Sequence, residues 1–240
     1  MNKLADVLNI LYTPLDTAEP PKINVDKFLT WAYGIQYQNL AKAGDASKAM
    51  SADLYPWHIV YARHSGKWQA DFNKEFPEIS DFFCQVYGMP EEEIYSIVLL
   101  PVRTDFVGPG FWHSDPDGHG LRVYLENDQV DDFLLIRPTV HPYDTRQLKA
   151  VPRNGVAPHI QTVEHSAKLL RPNQSFFINN IRAVHSANVA KLNSMRIACI
   201  ISGFNELNNM DNMKPDLQDL ILRSAEKYPD HVVRWTPPAE

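Results

Sequence analysis

Apolar positions change their period once along this chain, near residue 94. Before that point they recur at helical spacing. Between Asp26 and Ala43, the residues Phe28, Leu29, Ala32, Tyr33, Gln36 and Leu40 fall near one stripe, and Gly44 follows as a stop. A second helix is expected from about Pro77, a residue suited to a first helical turn, through Phe82, Phe83 and Val86 to Gly88. These aromatic stripes read as core packing. Residues 1–93 are therefore expected to form a mainly helical support region.

From Ile94 the pattern is that of strands. Ile94–Leu100 reads as a buried-strand run, Leu121–Leu125 alternates, and Asp132–Ile136 follows a polar turn at Glu126–Asp131, which suggests a hairpin. Further strands are expected at Ile160–Val163, Ala167–Leu170, Ser175–Ile178 and Met195–Ser202. Many short strands joined by turns indicate an antiparallel sandwich or small barrel over residues 94–205. A jelly-roll or cupin-like barrel, open at one end, would suit the chemistry considered below. Residues 206–240 carry a final helix, Pro215–Lys227, with Leu217, Leu220, Ile221, Ala225 and Tyr228 on one stripe, which braces the barrel or mediates a dimer. Pro138–His159, with four prolines and no period, is long for a structureless loop and reads equally as a lid over the cavity or a passive surface insertion.

Composition narrows the class. A chain of 240 residues with 44% hydrophobic and 22% charged residues is ordinary globular material, best read as one domain. A net charge of −6 argues against a general nucleic-acid or membrane-surface binder. The two cysteines, Cys84 and Cys199, read as buried free thiols rather than a disulfide framework, which suits a reducing compartment. No secretory signal and no apolar run of transmembrane length is visible, so a cytoplasmic monomer or homodimer is expected.

The chemistry is concentrated in His113-Ser114-Asp115, in His185 seventy residues after Asp115, and in Arg196 eleven further on. Side chains alternate along a strand, so a His-x-Asp pair presents two metal ligands on one face. A distant second histidine completes three ligands on one side of an ion. That two-histidine, one-carboxylate set is the facial triad of non-haem Fe(II) oxygenases. A chain of this composition supplies on the order of one His-x-Asp pair by chance, so the pair alone proves little. Arg196 adds weight, because it opens an apolar strand where a charge is costly without a partner, and it could hold the distal carboxylate of 2-oxoglutarate. Asp117, His119 and His165 are weaker ligand candidates, the histidines being placed in exposed turns. Trp57, His58, Arg63 and His64 form a polar-aromatic cluster that could line an entrance.

The segments Trp112–Asp115, Gly120–Asn127, Leu170–Asn180 and Val184–Val189, followed by Arg196-Ile197, resemble the aspartyl/asparaginyl β-hydroxylase-like family, which includes free-amino-acid proline hydroxylases. The resemblance covers about residues 94–205. It implies a double-stranded β-helix with His113, Asp115 and His185 on Fe(II), and with Arg196 pairing bidentately with 2-oxoglutarate. It further implies Tyr124 as a 2-oxoglutarate contact, where relatives can carry His, and Arg122 and Arg103 as anchors for a substrate carboxylate. Asn180 stands where proline-hydroxylase relatives tend to have Asp. The expected activity is hydroxylation of a small carboxylate-bearing molecule, with O2 as oxidant and 2-oxoglutarate decarboxylated in step. Retention of Asp115 argues against halogenation and leaves desaturation or cyclisation open. Hydroxylation of Asp, Asn or Pro in a peptide, and a non-catalytic cupin-like sensor binding iron or zinc, are the competing readings.

Overall fold

The computed structural model describes residues 3–42, 60–64, 67–69, 71–87, 94–103, 107–114, 120–141, 154–190, 195–203 and 213–238. Twelve strands are seen among them: β1 (Ile10–Pro14), β2 (Val60–His64), β3 (Lys67–Trp68), β4 (Ile94–Arg103), β5 (Gly108–Pro109), β6 (Leu121–Asn127), β7 (Leu134–Pro138), β8 (His165–Ala167), β9 (Gln174–Ile178), β10 (Ala183–Val189), β11 (Met195–Gly203) and β12 (Val233–Arg234). The helices are α1 (Lys3–Leu8), α2 (Val25–Lys42), α3 (Phe72–Glu75), α4 (Pro77–Tyr87) and α5 (Pro215–Lys227). Mainly β architecture with flanking helices is the result.

The strands form two antiparallel sheets, one of eight strands in the order β12-β1-β9-β6-β11-β4-β2-β3, the other of four in the order β5-β10-β7-β8. From β4 to β11 the pairing is nested. β4 pairs with β11, β5 with β10, β6 with β9 and β7 with β8, so the chain runs as one long hairpin folded over into two layers. The described residues 139–141 and 154–164 lie at the tip of that hairpin, next to β7 and β8.

Alternation along β6 explains how the large sheet is covered. Leu121, Val123 and Leu125 join Phe177 and Ile197 in a core built with Phe28, Phe72, Phe76, Ile79, Phe83, Leu217 and Ile221 from the helices. Each such side chain contributes about 1.5–3 kcal/mol on burial. The opposite face turns toward the small sheet. There Tyr124, Phe176 and Ile178 pack with Tyr12, Phe133, Leu134, Ile136 and Ala183. Tyr12, Tyr124, Phe133 and Phe176 form a ring cluster with centroids 5.3–5.9 Å apart. Gly120, at φ +63°, is required where β6 begins, since a Cβ there would lie 1.6 Å from the Ile178 carbonyl oxygen.

Several expectations need correction. The N-terminal region, expected to be mainly helical, also carries β1, β2 and β3, which extend the large sheet. These strands are short, and β1 is buried along its whole length, so it shows no alternation that a sequence reading could use. The hairpin expected across Glu126–Asp131 is absent: β6 and β7 lie in different sheets, and residues 128–133 cross between them. Ile160–Val163 is not a strand; Ile160 makes only an isolated bridge with Thr139. Cys84 is half-buried rather than buried, and the Cys199 side chain lies outside the described residues. No helix among the described residues is long and apolar enough to cross a membrane.

The terminal helix α5 braces the N-terminal strand, as its stripe predicts. Leu217, Leu220, Ile221 and Ala225 are buried, and the Ser224 hydroxyl accepts a hydrogen bond from the Asp16 backbone N–H at 2.8 Å. Tyr228 caps the helix instead of continuing the stripe.

Candidate functional site

The two histidines singled out in the sequence meet at the open edge of the small sheet. His113 follows β5 and forms an antiparallel bridge with His185 of β10. The His113 N–H donates to the His185 carbonyl at 3.0 Å, and the His185 N–H returns to the His113 carbonyl at 2.8 Å. Their ring centroids are 4.3 Å apart, close enough for both imidazoles to bind one ion. His113 Nδ1 lies 3.2 Å from the Phe111 carbonyl, an acceptor that suits a proton on Nδ1. Neighbouring positions have the opposite facing. Trp112 and Val184 pack with Leu135 and Ile160 on the back of the small sheet.

Asp115, like Asp117 and His119, lies outside the described residues, as do Trp57 and His58. Among the described residues no group of three or more His, Cys, Asp or Glu side chains gathers about one point. His165, expected in an exposed turn, is instead on β8 and half-buried, and desolvation lowers its pKa. Arg63 is on β2, buried, with its guanidinium 5.0 Å from the Trp68 ring centroid. Arg103 ends β4 opposite Met195, and its side chain lies outside the described residues.

Arg196, near the start of β11, is fully buried. Its Nη2 donates to Gln129 Oε1 at 2.6 Å and to the Asn188 carbonyl, and its Nη1 lies 3.4 Å from the Phe133 carbonyl. All of these acceptors are neutral. No carboxylate among the described residues pairs with this guanidinium. The register places Tyr124 opposite Ala198 and Arg122 opposite Ile200, so by alternation both side chains share the face of Arg196. Burial pushes the Tyr124 hydroxyl above its ordinary pKa, while the charges of Arg196 and Arg122 pull it back, Arg196 also by a hydrogen bond. Arg122 is itself buried, with Nη1 donating to the Leu121 carbonyl at 3.1 Å.

Sequence reasoning missed the partners that hold Arg196. Gln129 sits in the crossover between sheets, and its Oε1 also accepts the Ala190 N–H at 2.8 Å. Its Nε2 donates to the Asp131 and Asp132 carbonyls. A glutamine in a polar turn carries no periodic signal that it will be buried. Asn188 was visible only as part of the Val184–Val189 motif, without a role. Asn180 is buried two residues after the end of β9.

No protein-family model matches the chain, and no curated protein matches it. Among solved structures it is similar to SnoN, a non-haem α-ketoglutarate-dependent epimerase from nogalamycin biosynthesis, at 12% identity and a TM-score of 0.37, over 82% of this chain and 81% of that one. It is similar to SnoK, a non-haem α-ketoglutarate-dependent carbocyclase from the same biosynthesis, at 12% identity and 0.40, over 84% and 83%. For the apo non-haem monooxygenase ThoJ the values are 15% and 0.40, over 84% and 77%. At such scores the likenesses decide neither fold nor function.

Proposed function

We propose that this chain is an Fe(II)- and 2-oxoglutarate-dependent oxygenase that hydroxylates a small carboxylate-bearing molecule, a free amino acid being the leading candidate. The observation that carries the reading is Arg196, a fully buried guanidinium whose described partners are all neutral. A buried cation is costly unless an anion neutralises it, and a bound dicarboxylate would do so.

The nested strand pairing in two layers is consistent with a jelly roll, the double-stranded β-helix expected from the sequence, and supports this reading. His113 and His185 would hold the iron together with Asp115, and Arg196 and Tyr124 would take the distal carboxylate of 2-oxoglutarate. Asn188, whose carbonyl Arg196 binds, is three residues along β10 from His185. At about 3.3 Å per residue that is roughly 10 Å, a span suited to a five-carbon diacid fixed at one end by metal and at the other by a guanidinium. Iron, O2 and 2-oxoglutarate would together supply the oxidising power for C–H hydroxylation. The protein's part is positional: the bridge sets the spacing of the two imidazoles, the Phe111 carbonyl suits a proton on His113 Nδ1, and the ring cluster about Tyr124 keeps water from the buried charge. Arg122, on the same face, supports an anionic substrate.

The test is an anaerobic titration of Fe(II) and 2-oxoglutarate, followed by the weak visible charge-transfer band of the chelate. A band in wild type, followed by succinate release on screening amino acids under O2, supports the proposal. A folded, iron-loaded protein with no band would exclude the oxygenase and favour a metal-binding sensor. Turnover of peptides but not free amino acids would move the substrate to a protein side chain.

A further inference from the structure

We infer that the described end of the hairpin tip, residues 154–164, is not a cover for the site but a buttress behind it, and that Gly155 and Arg137 are positioning residues for the two histidines. The inference rests on the proposal that His113 and His185 share a metal ion.

The small sheet has two faces. His113, His185 and Ile136 turn inward, while Trp112, Val184 and Leu135, each one residue before, turn outward. Ile160 and Ala157 of the tip close a separate small core with these three outward residues. Gly155 lies flat against the indole. A Cβ at this position would stand 2.5 Å from Trp112 Cγ and 2.7 Å from Cδ2, and φ is +69°. Glycine therefore meets both a conformational and a steric demand.

Arg137, opposite Val184 on β7, completes the clamp. Its guanidinium lies 4.3 Å from the Trp112 ring centroid. Nη1 donates to the Asn154 carbonyl at 2.8 Å, and Nη2 meets Glu164 Oε2 at 3.1 Å. One side chain thus ties both ends of the 154–164 segment to the residue before His113. Because Trp112 and Val184 share the backbone of the two histidines, a displaced indole must move the His113–His185 bridge. The position of the imidazoles is set from behind.

The experiment is a Co(II) titration read by the visible d–d bands, on wild type, Gly155→Ala, Arg137→Gln and the exposed control Val156→Ala. Groups that orient metal ligands typically govern about 10–100-fold in affinity. Gly155→Ala and Arg137→Gln should each weaken Co(II) at least about tenfold and change the band shape at saturation, a spectroscopic signature that a remote packing defect does not produce. Val156→Ala should match wild type. If Gly155→Ala does not fold, Arg137→Gln decides, since it adds no atom beside the indole. Folded variants with wild-type affinity and bands would overturn the inference. Failure of wild type to bind Co(II) would instead remove the metal site on which it rests.

Discussion

His113 and His185 exchange both backbone hydrogen bonds, at 3.0 and 2.8 Å, so the spacing of their rings is fixed by main chain rather than by side-chain packing alone. Removing one imidazole should therefore remove a ligand while leaving the bridge. His185→Ala or His113→Ala is expected to lower Fe(II) affinity by more than about 100-fold, with the circular dichroism of the metal-free protein preserved. Asp115→Ala should behave alike. Calorimetric titration of the apo variants measures this directly, and near-normal binding by any of them would place the metal elsewhere.

Under the proposed function Arg196 would have two separable roles. As an anion anchor it should control 2-oxoglutarate affinity, and as a fastening it holds Gln129 of the crossover against Asn188 of β10. Arg196→Ala should raise the 2-oxoglutarate needed for the chelate band at least tenfold. It should also lower stability by about 1–3 kcal/mol, the cost of orphaning buried acceptors. Gln129→Ala should lose stability with a smaller effect on the band. A variant pair that shifts both quantities equally would show that the arginine is only a fastening.

Gly120→Ala tests the turn into β6. The positive φ and a Cβ placed 1.6 Å from the Ile178 oxygen cannot both be relieved without moving β9. A loss of roughly 3 kcal/mol or more is expected in urea unfolding. A loss below 1 kcal/mol would mean that the strand start shifts freely.

Asp16 links the N-terminal segment to α5 through Lys227 at 2.7 Å and Tyr228 at 3.1 Å. The hydrogen bond from Lys227 is the main cause of its lowered pKa. A carboxylate with a depressed folded value stabilises fully above its unfolded pKa, near 3.9, and that stability disappears as pH falls through the folded value. Asp16→Asn should thus flatten the acid limb of the stability curve below about pH 4. Both partners are solvent-exposed, so the difference should be small and should shrink with added salt. An unchanged acid limb would show that Asp16 contributes nothing to it.

The parts of this fold legible in sequence are those with an amphipathic period. α2, α4 and α5 fall within one residue of their expected starts because each puts an apolar stripe on the large sheet. β4 and β11 are legible because their apolar runs are long. The pairing of β6 with β9 rather than with β7 was not, since a polar connection of six residues suits a hairpin and a crossover equally. At the site, residue type and spacing singled out His113 with His185 and put Arg122 and Tyr124 on one face; that this is also the face of Arg196 follows from the β6–β11 register. The neutral cage of Arg196 and the Trp112–Gly155 contact depend on segments brought from elsewhere in the fold, and no local pattern reports them.

The nested pairing of β4 through β11 gives the chain a turning point that every strand pair encloses. Residues added there lengthen the innermost connection and displace no partner in any ladder. Loop closure becomes dearer only as the logarithm of length. A scaffold of this kind can take up added residues between β7 and β8 while each ladder outside keeps its alignment.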